Sequence, residues 1–190
     1  MQKRKIGLYG GSFNPVHVGH IALARQILEK YGLDEVWFVV SPHNPLKDEN
    51  CLASDEKRFA LVKKALQKEL GMSASDYEFH LPRPSYMWNT LSKLTEDYPE
   101  NEFSLIIGAD NWQCFPQWYN YREILASYSI IIYPRSGCEI GELPSNVSLA
   151  DTRLWNVSST QIREMIHKGE SISGLVSDNI LEDVIKLYSE

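Results

Sequence analysis

Short apolar runs alternate with helical stripes along most of the chain. Ile6 to Tyr9 is apolar and ends at Gly10-Gly11, the mark of a buried strand. From Ile21 to Tyr31 the apolar side chains stand at 21, 23, 24, 27, 28 and 31, an amphipathic helix. Val36 to Val40 (Val-Trp-Phe-Val-Val) is a second buried strand, and the distance between the strands is that of one βαβ unit. Ser54-Asp55-Glu56 supplies a capping hydroxyl and an acidic first turn to a helix predicted to reach about Leu70. The pattern then predicts a third strand over Tyr77 to Leu81, a helix over Met87 to Tyr98 and a strand over Phe103 to Ile107 stopped by Gly108. A short helix over Tyr121 to Ser127 follows, with Asn120 and Glu123 in capping-box positions. Ser129 to Tyr133 is a strand broken by Pro134, residues 136–146 are a Gly/Pro/Ser-rich loop, and Val147 to Ala150 is a last short strand. Ser158 to Lys168 and Asn179 to Ser189 are closing helices.

Strands alternating with helices predict an α/β, Rossmann-like fold: a mostly parallel sheet with helices on both faces, closed by a C-terminal helical segment. No repeat or linker divides the chain, so residues 1–190 are expected to form a single domain. Ligands of such sheets sit at the carboxyl ends of the strands, so the loops after Tyr9, Val40, Ile107 and Tyr133 should ring one site.

Composition narrows the function. A net charge of −6 argues against a protein that coats nucleic acid, but leaves room for a small anion held by a local cluster of donors. Cys51, Cys114 and Cys138 are an odd number without CxxC spacing, which predicts free thiols in a reducing cytosol. The basic Met1-Gln-Lys-Arg-Lys start is not followed by the apolar stretch of a signal peptide, and no run is long enough to span a membrane.

Two motifs carry candidate chemistry. Gly10-Gly11-Ser12-Phe13-Asn14-Pro15-Val16-His17-Val18-Gly19-His20 runs from the first strand into the first helix. Glycines let backbone approach a ligand, and a helix start offers unpaired N–H groups to an anion. His17 and His20 share a face and donate ring N–H bonds, neutral or charged, while Gly19 keeps the space between them clear. Histidines that merely cap the helix, or that bind a metal, are the plain alternatives. The metal reading lacks the three or four ligands that zinc needs, and His43, His80 and His167 are scattered. The second motif is Val157-Ser158-Ser159-Thr160-Gln161-Ile162-Arg163. Ser158 and Gln161 fit a purely structural capping box. Ser159, Thr160 and Arg163 add hydroxyls and a guanidinium, a polyphosphate cradle.

Together these segments resemble the HxGH nucleotidyltransferase superfamily. The intermediate segments Ser41-Pro42-His43-Asn44-Pro45-Leu46-Lys47, Arg83-Pro84-Ser85-Tyr86-Met87-Trp88-Asn89-Thr90-Leu91, Ile107-Gly108-Ala109-Asp110-Asn111 and Phe115-Pro116-Gln117-Trp118-Tyr119 narrow the resemblance to the bacterial nicotinate mononucleotide adenylyltransferases. The resemblance implies adenylyl transfer from ATP to nicotinate mononucleotide, giving nicotinate adenine dinucleotide and pyrophosphate in NAD biosynthesis. It implies catalytic roles for His17, His20 and Arg163. Gly10, Ser12, Phe13, Lys47, Gly108, Asp110, Arg135, Ser159 and Thr160 would bind ATP. Met87, Thr90, Trp118 and Tyr119 would bind the mononucleotide, with Trp118 stacked on the pyridine ring and the backbone amides of Met87 and Tyr119 on its carboxylate. Mg²⁺ is expected on the ATP phosphates rather than in a protein metal site. Nucleic acid and membrane are not expected as partners, and a homo-oligomer is compatible with the sequence.

Three positions depart from the family pattern: Met87 replaces the usual Thr, Asn44-Pro45-Leu46-Lys47 replaces Pro-Pro-His-Lys, and Ser177 stands where a proline often precedes the last helix. Without the resemblance, Trp88 and Trp112 read as core aromatics, Trp118, flanked by Pro116, Gln117 and Asn120, as a loop ring that stacks on a ligand rather than as core, Asp110 equally as a helix cap and Lys47 as a solvated charge. The alternatives are a dual-specificity or nicotinamide-preferring transferase, a cytidylyl- or pantetheine-type transferase, and a module that binds a nucleotide without turning it over.

Overall fold

Six parallel strands form one sheet in the order β3-β2-β1-β4-β5-β6. The computed structural model describes residues 2–42, 52–153 and 155–189. In chain order the strands are β1 (Arg4–Gly11), β2 (Glu35–Val40), β3 (Met72–Ser75), β4 (Asn101–Gly108), β5 (Ser129–Tyr133) and β6 (Val147–Leu149). The helices are α1 (Val18–Lys30), α2 (Asp55–Ala65), α3 (Met87–Asp97), α4 (Ala109–Cys114), α5 (Tyr121–Ser127), α6 (Ser159–His167) and α7 (Leu181–Tyr188). The strand order reverses between β1 and β4, so the crevice above those two carboxyl ends is the place for a ligand.

Strand alternation sorts the apolar side chains onto two faces. Val36, Phe38, Val40, Ile106 and Ile131 pack with Ile21 and Ile27 of α1, Leu61 and Val62 of α2, Ile162 of α6 and Val184 of α7. Ile6, Leu8, Val39, Leu105, Ile130 and Ile132 pack with Leu91 and Leu94 of α3, Phe115, and Ile124 of α5. Both faces are covered, as near-continuous apolar strands require. Among the described residues no helix is long and apolar enough to cross a membrane.

The local expectations hold for most elements. Ser54 Oγ accepts the Lys57 N–H (3.4 Å) at the start of α2, and Ser158 Oγ accepts the Gln161 N–H (3.1 Å) at the start of α6. Three expectations are corrected. Tyr77 to Leu81 is not a strand: Tyr77–His80 is a 3₁₀ turn, and the third strand is the less apolar Met-Ser-Ala-Ser before it, paired with β2. The Tyr77/Phe79/Leu81 alternation looks like strand period, but Tyr77 packs on one core cluster and Phe79 on the other. Helix α2 stops at Ala65 rather than near Leu70: the chain continues in turns, Leu70 lies on the surface, and Gly71 (φ +72°) leads into β3. Asn120 precedes α5 in the left-handed region (φ 52°) and its side chain makes no capping bond. Of the cysteines, Cys114 and Cys138 are free thiols, and Cys51 lies outside the described residues.

Candidate active site

A cavity of about 720 Å³ opens over the β1/β4 switch point. Residues at or after the ends of all four strands whose loops are expected to ring a site line it: Gly10 to Asn14 at and after the end of β1, Ser41 after β2, Gly108 and Asp110 at and after the end of β4, and Arg135 after β5. The start of α6 and the segment around Trp118 complete the wall.

The two histidines are built into the start of α1. His17 is its N-cap and His20 the third helical residue. His20 Nδ1 accepts the His17 backbone N–H (3.2 Å), and the two rings stack with centroids 3.6 Å apart. Phe13 and Tyr9 meet the His20 ring edge-on at 5.1 and 6.1 Å, so its orientation is fixed from three sides. The capping reading and the cavity-lining reading are therefore both realised by the same pair. With Nδ1 of His20 occupied as an acceptor, a neutral ring carries its proton on Nε2. His17 is buried, and among the described residues its Nδ1 has no hydrogen-bond partner. Burial, and then the Arg135 charge, lower its pKa to about 4, so the ring is neutral at pH 7.

The glycines of the first motif differ in backbone setting. Gly10 and Gly11 continue the strand, and it is Phe13 that takes the left-handed conformation (φ 43°). At Gly19 a Cβ would come within 2.9 Å of Val157 and 3.1 Å of the His17 ring. Gly19 thus lets α1 pack against the second motif and leaves room for the His17 ring.

The second motif is joined directly to the first. Arg163 Nη1 donates to the Asn14 carbonyl (2.6 Å) and Nη2 to Thr160 Oγ1 (3.4 Å), while the Ser159 hydroxyl donates to the Pro15 carbonyl (2.8 Å). Ser159, Thr160 and Arg163 all line the cavity. Asn14 is a hub that the sequence motif contained without a stated role. Its Oδ1 accepts from the Ala53 N–H (3.1 Å) and the Tyr188 hydroxyl (2.6 Å), tying the loop to the C-terminal helix α7.

Across the cavity, Asp110 sits in the first turn of α4, not at its cap, with Arg135 Nε 3.8 Å from its carboxylate. The Arg135 guanidinium lies over the Tyr133 ring at 5.2 Å. Trp118 is half-buried between Phe115 (5.4 Å) and the cavity. Trp88 and Trp112 pack on the same core cluster as Trp118 but are not among the residues that line the cavity. Met87 and Tyr119 both line the cavity, and the exposed Tyr86 and Tyr119 rings meet at 4.9 Å across its mouth. Thr90 is the exception. It is fully buried, does not line the cavity, and donates to Glu78 Oε1 (2.9 Å), because its place on α3 turns it toward the 3₁₀ turn. Lys47 lies outside the described residues. Among the described residues no group of three or more His, Cys, Asp or Glu side chains could hold a metal ion.

Comparison with known proteins fits this arrangement. The cytidylyltransferase-like family model matches residues 8–165, which include both motifs. A Bacteroides fragilis protein named "Probable nicotinate-nucleotide adenylyltransferase" is 45% identical over 188 residues, 98% of this chain and 94% of its own. A Bacteroides thetaiotaomicron protein of the same name is 46% identical over 95% of this chain and 90% of its own. This chain belongs to the nicotinate-nucleotide adenylyltransferase family. Among solved structures, a Plasmodium falciparum nicotinic acid mononucleotide adenylyltransferase complexed with NaAD superimposes with a TM-score of 0.81 at 20% identity, covering 97% of each chain. At that identity the likeness speaks for the fold.

Two features of this family member were not legible in its motifs. Glu78 is a buried carboxyl that reaches the cavity, and burial raises its pKa. It hides in the aromatic run Tyr77-Glu78-Phe79, where a lone acid among apolar neighbours was the available signal. Arg58, also fully buried, is the fourth residue of α2, in the charged run Asp55-Glu56-Lys57-Arg58, where it reads as an ordinary surface charge.

Proposed function

We propose that this chain transfers the adenylyl group of ATP to nicotinate mononucleotide, releasing pyrophosphate and forming nicotinate adenine dinucleotide in NAD biosynthesis. The observation that carries the reading is one cavity with two unlike ends. At one end His17, His20, Thr160 and Arg163 converge. At the other, the Trp118-Tyr119 segment meets the start of α3, with the Tyr119 and Tyr86 rings 4.9 Å apart and Trp118 and Met87 both in the lining. A triphosphate needs the first set of donors, and a flat pyridine with an anionic substituent suits the second. The names of the relatives agree with both.

In this reading Gly10, Ser12, Phe13, Gly108, Asp110 and Arg135 bind the ATP nucleoside and α-phosphate, Lys47 reaches its phosphates, and Ser159 contributes through its backbone, since its hydroxyl is held by Pro15. The 5′-phosphate of the mononucleotide attacks the α-phosphorus in line, a P–O bond forms, and the bond to the pyrophosphate oxygen breaks. The attacking oxygen is already anionic, so no general base is needed. Catalysis then rests on positioning and charge stabilisation. His17, neutral at pH 7, and His20 donate to the α-phosphate oxygens as charge moves onto them, and Arg163 holds the leaving pyrophosphate. The lining supplies imidazole, hydroxyl and guanidinium donors rather than a carboxylate cluster, which fits Mg²⁺ arriving on the phosphates. When bound there, Mg²⁺ neutralises phosphate charge. Residues 1–190 act as one domain in a reducing cytosol.

The test is pyrophosphate release with ATP and a panel of mononucleotides. Nicotinate mononucleotide should be the preferred acceptor, because the amide of nicotinamide mononucleotide sets a donor against the backbone donors of Met87 and Tyr119. Equal kcat/KM for the two acceptors would remove the nicotinate assignment, and ATP binding without turnover would leave a binding module.

A further inference from the structure

One buried charge is not used by this mechanism. Arg58 has a side chain with no exposed surface, yet it lies between the loops that form the cavity. Its guanidinium donates to the Ser12 carbonyl in the turn after β1, and to the Ser41 (2.9 Å) and Pro42 (3.3 Å) carbonyls after β2. Nε donates to the Ala53 carbonyl (2.9 Å), ahead of α2. Nη2 also reaches Asp55 Oδ1 (2.6 Å). The other oxygen of Asp55 accepts from Arg83 (2.8 Å), in the loop that leads to Ser85, Tyr86 and Met87 at the acceptor end.

A fully buried guanidinium gives little net stability over a well-packed apolar side chain. What it offers is a rigid fork of donors with fixed directions. Here that fork is spent on carbonyls of two irregular loops, not on helix or strand ends. Ser12 and Ser41, whose carbonyls it holds, both line the cavity. Phe13, next to Ser12, is held in a left-handed conformation that few non-glycine residues adopt.

We propose that Arg58 is a positioning residue that couples the two ends of the cavity: it sets the phosphate-side turn at Ser12 directly, and the acceptor-side loop through Asp55 and Arg83. The proposal rests on the adenylyl-transfer reading for what the two ends bind. A relay of this kind predicts separable effects. Arg83 is largely exposed, with 61% of its side-chain surface in solvent, so Arg83→Ala leaves the fold intact and loosens only the acceptor loop. Arg58→Lys keeps the buried charge beside Asp55 but replaces the planar fork by a point donor that cannot span four loop carbonyls.

The experiment compares steady-state kinetics and thermal unfolding of the unsubstituted enzyme, Arg83→Ala and Arg58→Lys, with ATP and nicotinate mononucleotide varied separately. For Arg83→Ala the expected result is a KM for the mononucleotide raised about fivefold, with KM for ATP unchanged, a modest misplacement of one wall. For Arg58→Lys it is a kcat/KM reduced about tenfold or more for both substrates in protein that still unfolds cooperatively. A merely structural arginine would lower the Tm of Arg58→Lys and leave the kinetics of the folded protein unchanged; that result overturns the proposal. If Arg58→Lys does not fold, Arg83→Ala decides alone, and unchanged constants overturn the relay. The unsubstituted enzyme tests the functional reading separately. Should it release no pyrophosphate with any mononucleotide, calorimetric ATP binding still tests Arg58: weaker binding by Arg58→Lys supports its role at Ser12, and equal binding overturns it.

Discussion

His20 Nδ1 accepts the backbone N–H of His17 at 3.2 Å while the two rings stack at 3.6 Å. The same residue that closes the helix start therefore aims a donor into the cavity. His20→Ala removes both functions, and kcat should fall by about 10²- to 10³-fold, as for loss of one donor to a developing anion. His20→Asn retains an acceptor for the His17 amide and a side-chain N–H, and should recover part of the loss. ATP affinity should change much less than kcat in both. An alanine variant with unchanged kcat would remove His20 from the chemistry.

His17 links stability to pH. Its pKa is lowered to about 4 in the folded chain by burial and by Arg135, against about 6.5 when exposed. Between these values the unfolded state binds the proton more readily, so stability is full above pH 6.5 and falls as the pH drops toward 4. The shift corresponds to about 3 kcal/mol as an upper figure. Urea unfolding at pH 7 and pH 4.5 should show this drop in the unsubstituted chain, with a shallower slope in His17→Asn. Parallel slopes would contradict a buried neutral imidazole.

Thr90 separates a packing role from a binding one. Its hydroxyl donates to the buried Glu78 at 2.9 Å and does not reach the cavity. Thr90→Val should cost about 1–3 kcal/mol by leaving a Glu78 oxygen without its donor. Denaturant midpoints measure that cost. KM for the mononucleotide should stay unchanged, and a large rise would return Thr90 to the acceptor site.

These cases also mark how far the sequence could be read. The apolar runs of β1, β2, β4 and β5 announced the sheet because each strand is covered on both faces. The short β3, Met-Ser-Ala-Ser, has little apolar content, and the neighbouring aromatics drew the strand assignment away from it. The ring of loops followed from the topology alone. The histidines and Arg163 announced themselves as a spacing. Arg58, Glu78 and Asn14 did not, because their meaning lies in contacts to residues far along the chain, such as Asn14 with Tyr188. Thr90 was misplaced for a related reason: neighbouring positions on α3 face opposite ways, and only the packing of the 3₁₀ turn decides which way.

Trp118 tests the acceptor end. The ring packs on Phe115 at 5.4 Å and its remaining surface lines the cavity, so it is both a core member and a platform. Stacking of a base on an aromatic side chain contributes about 1–3 kcal/mol, which is about 5- to 150-fold in affinity. Trp118→Ala should raise KM for nicotinate mononucleotide within that range and leave KM for ATP unchanged. Because the alanine also uncovers Phe115, its Tm will fall, so lost stability has to be separated from a lost platform. Trp118→Phe does this: the smaller ring keeps a flat surface on Phe115, and most of the mononucleotide affinity should return. If Trp118→Ala instead raised KM for both substrates equally, the ring would be a core residue whose loss disturbs the whole cavity, and the acceptor end would have to be sought elsewhere along its wall.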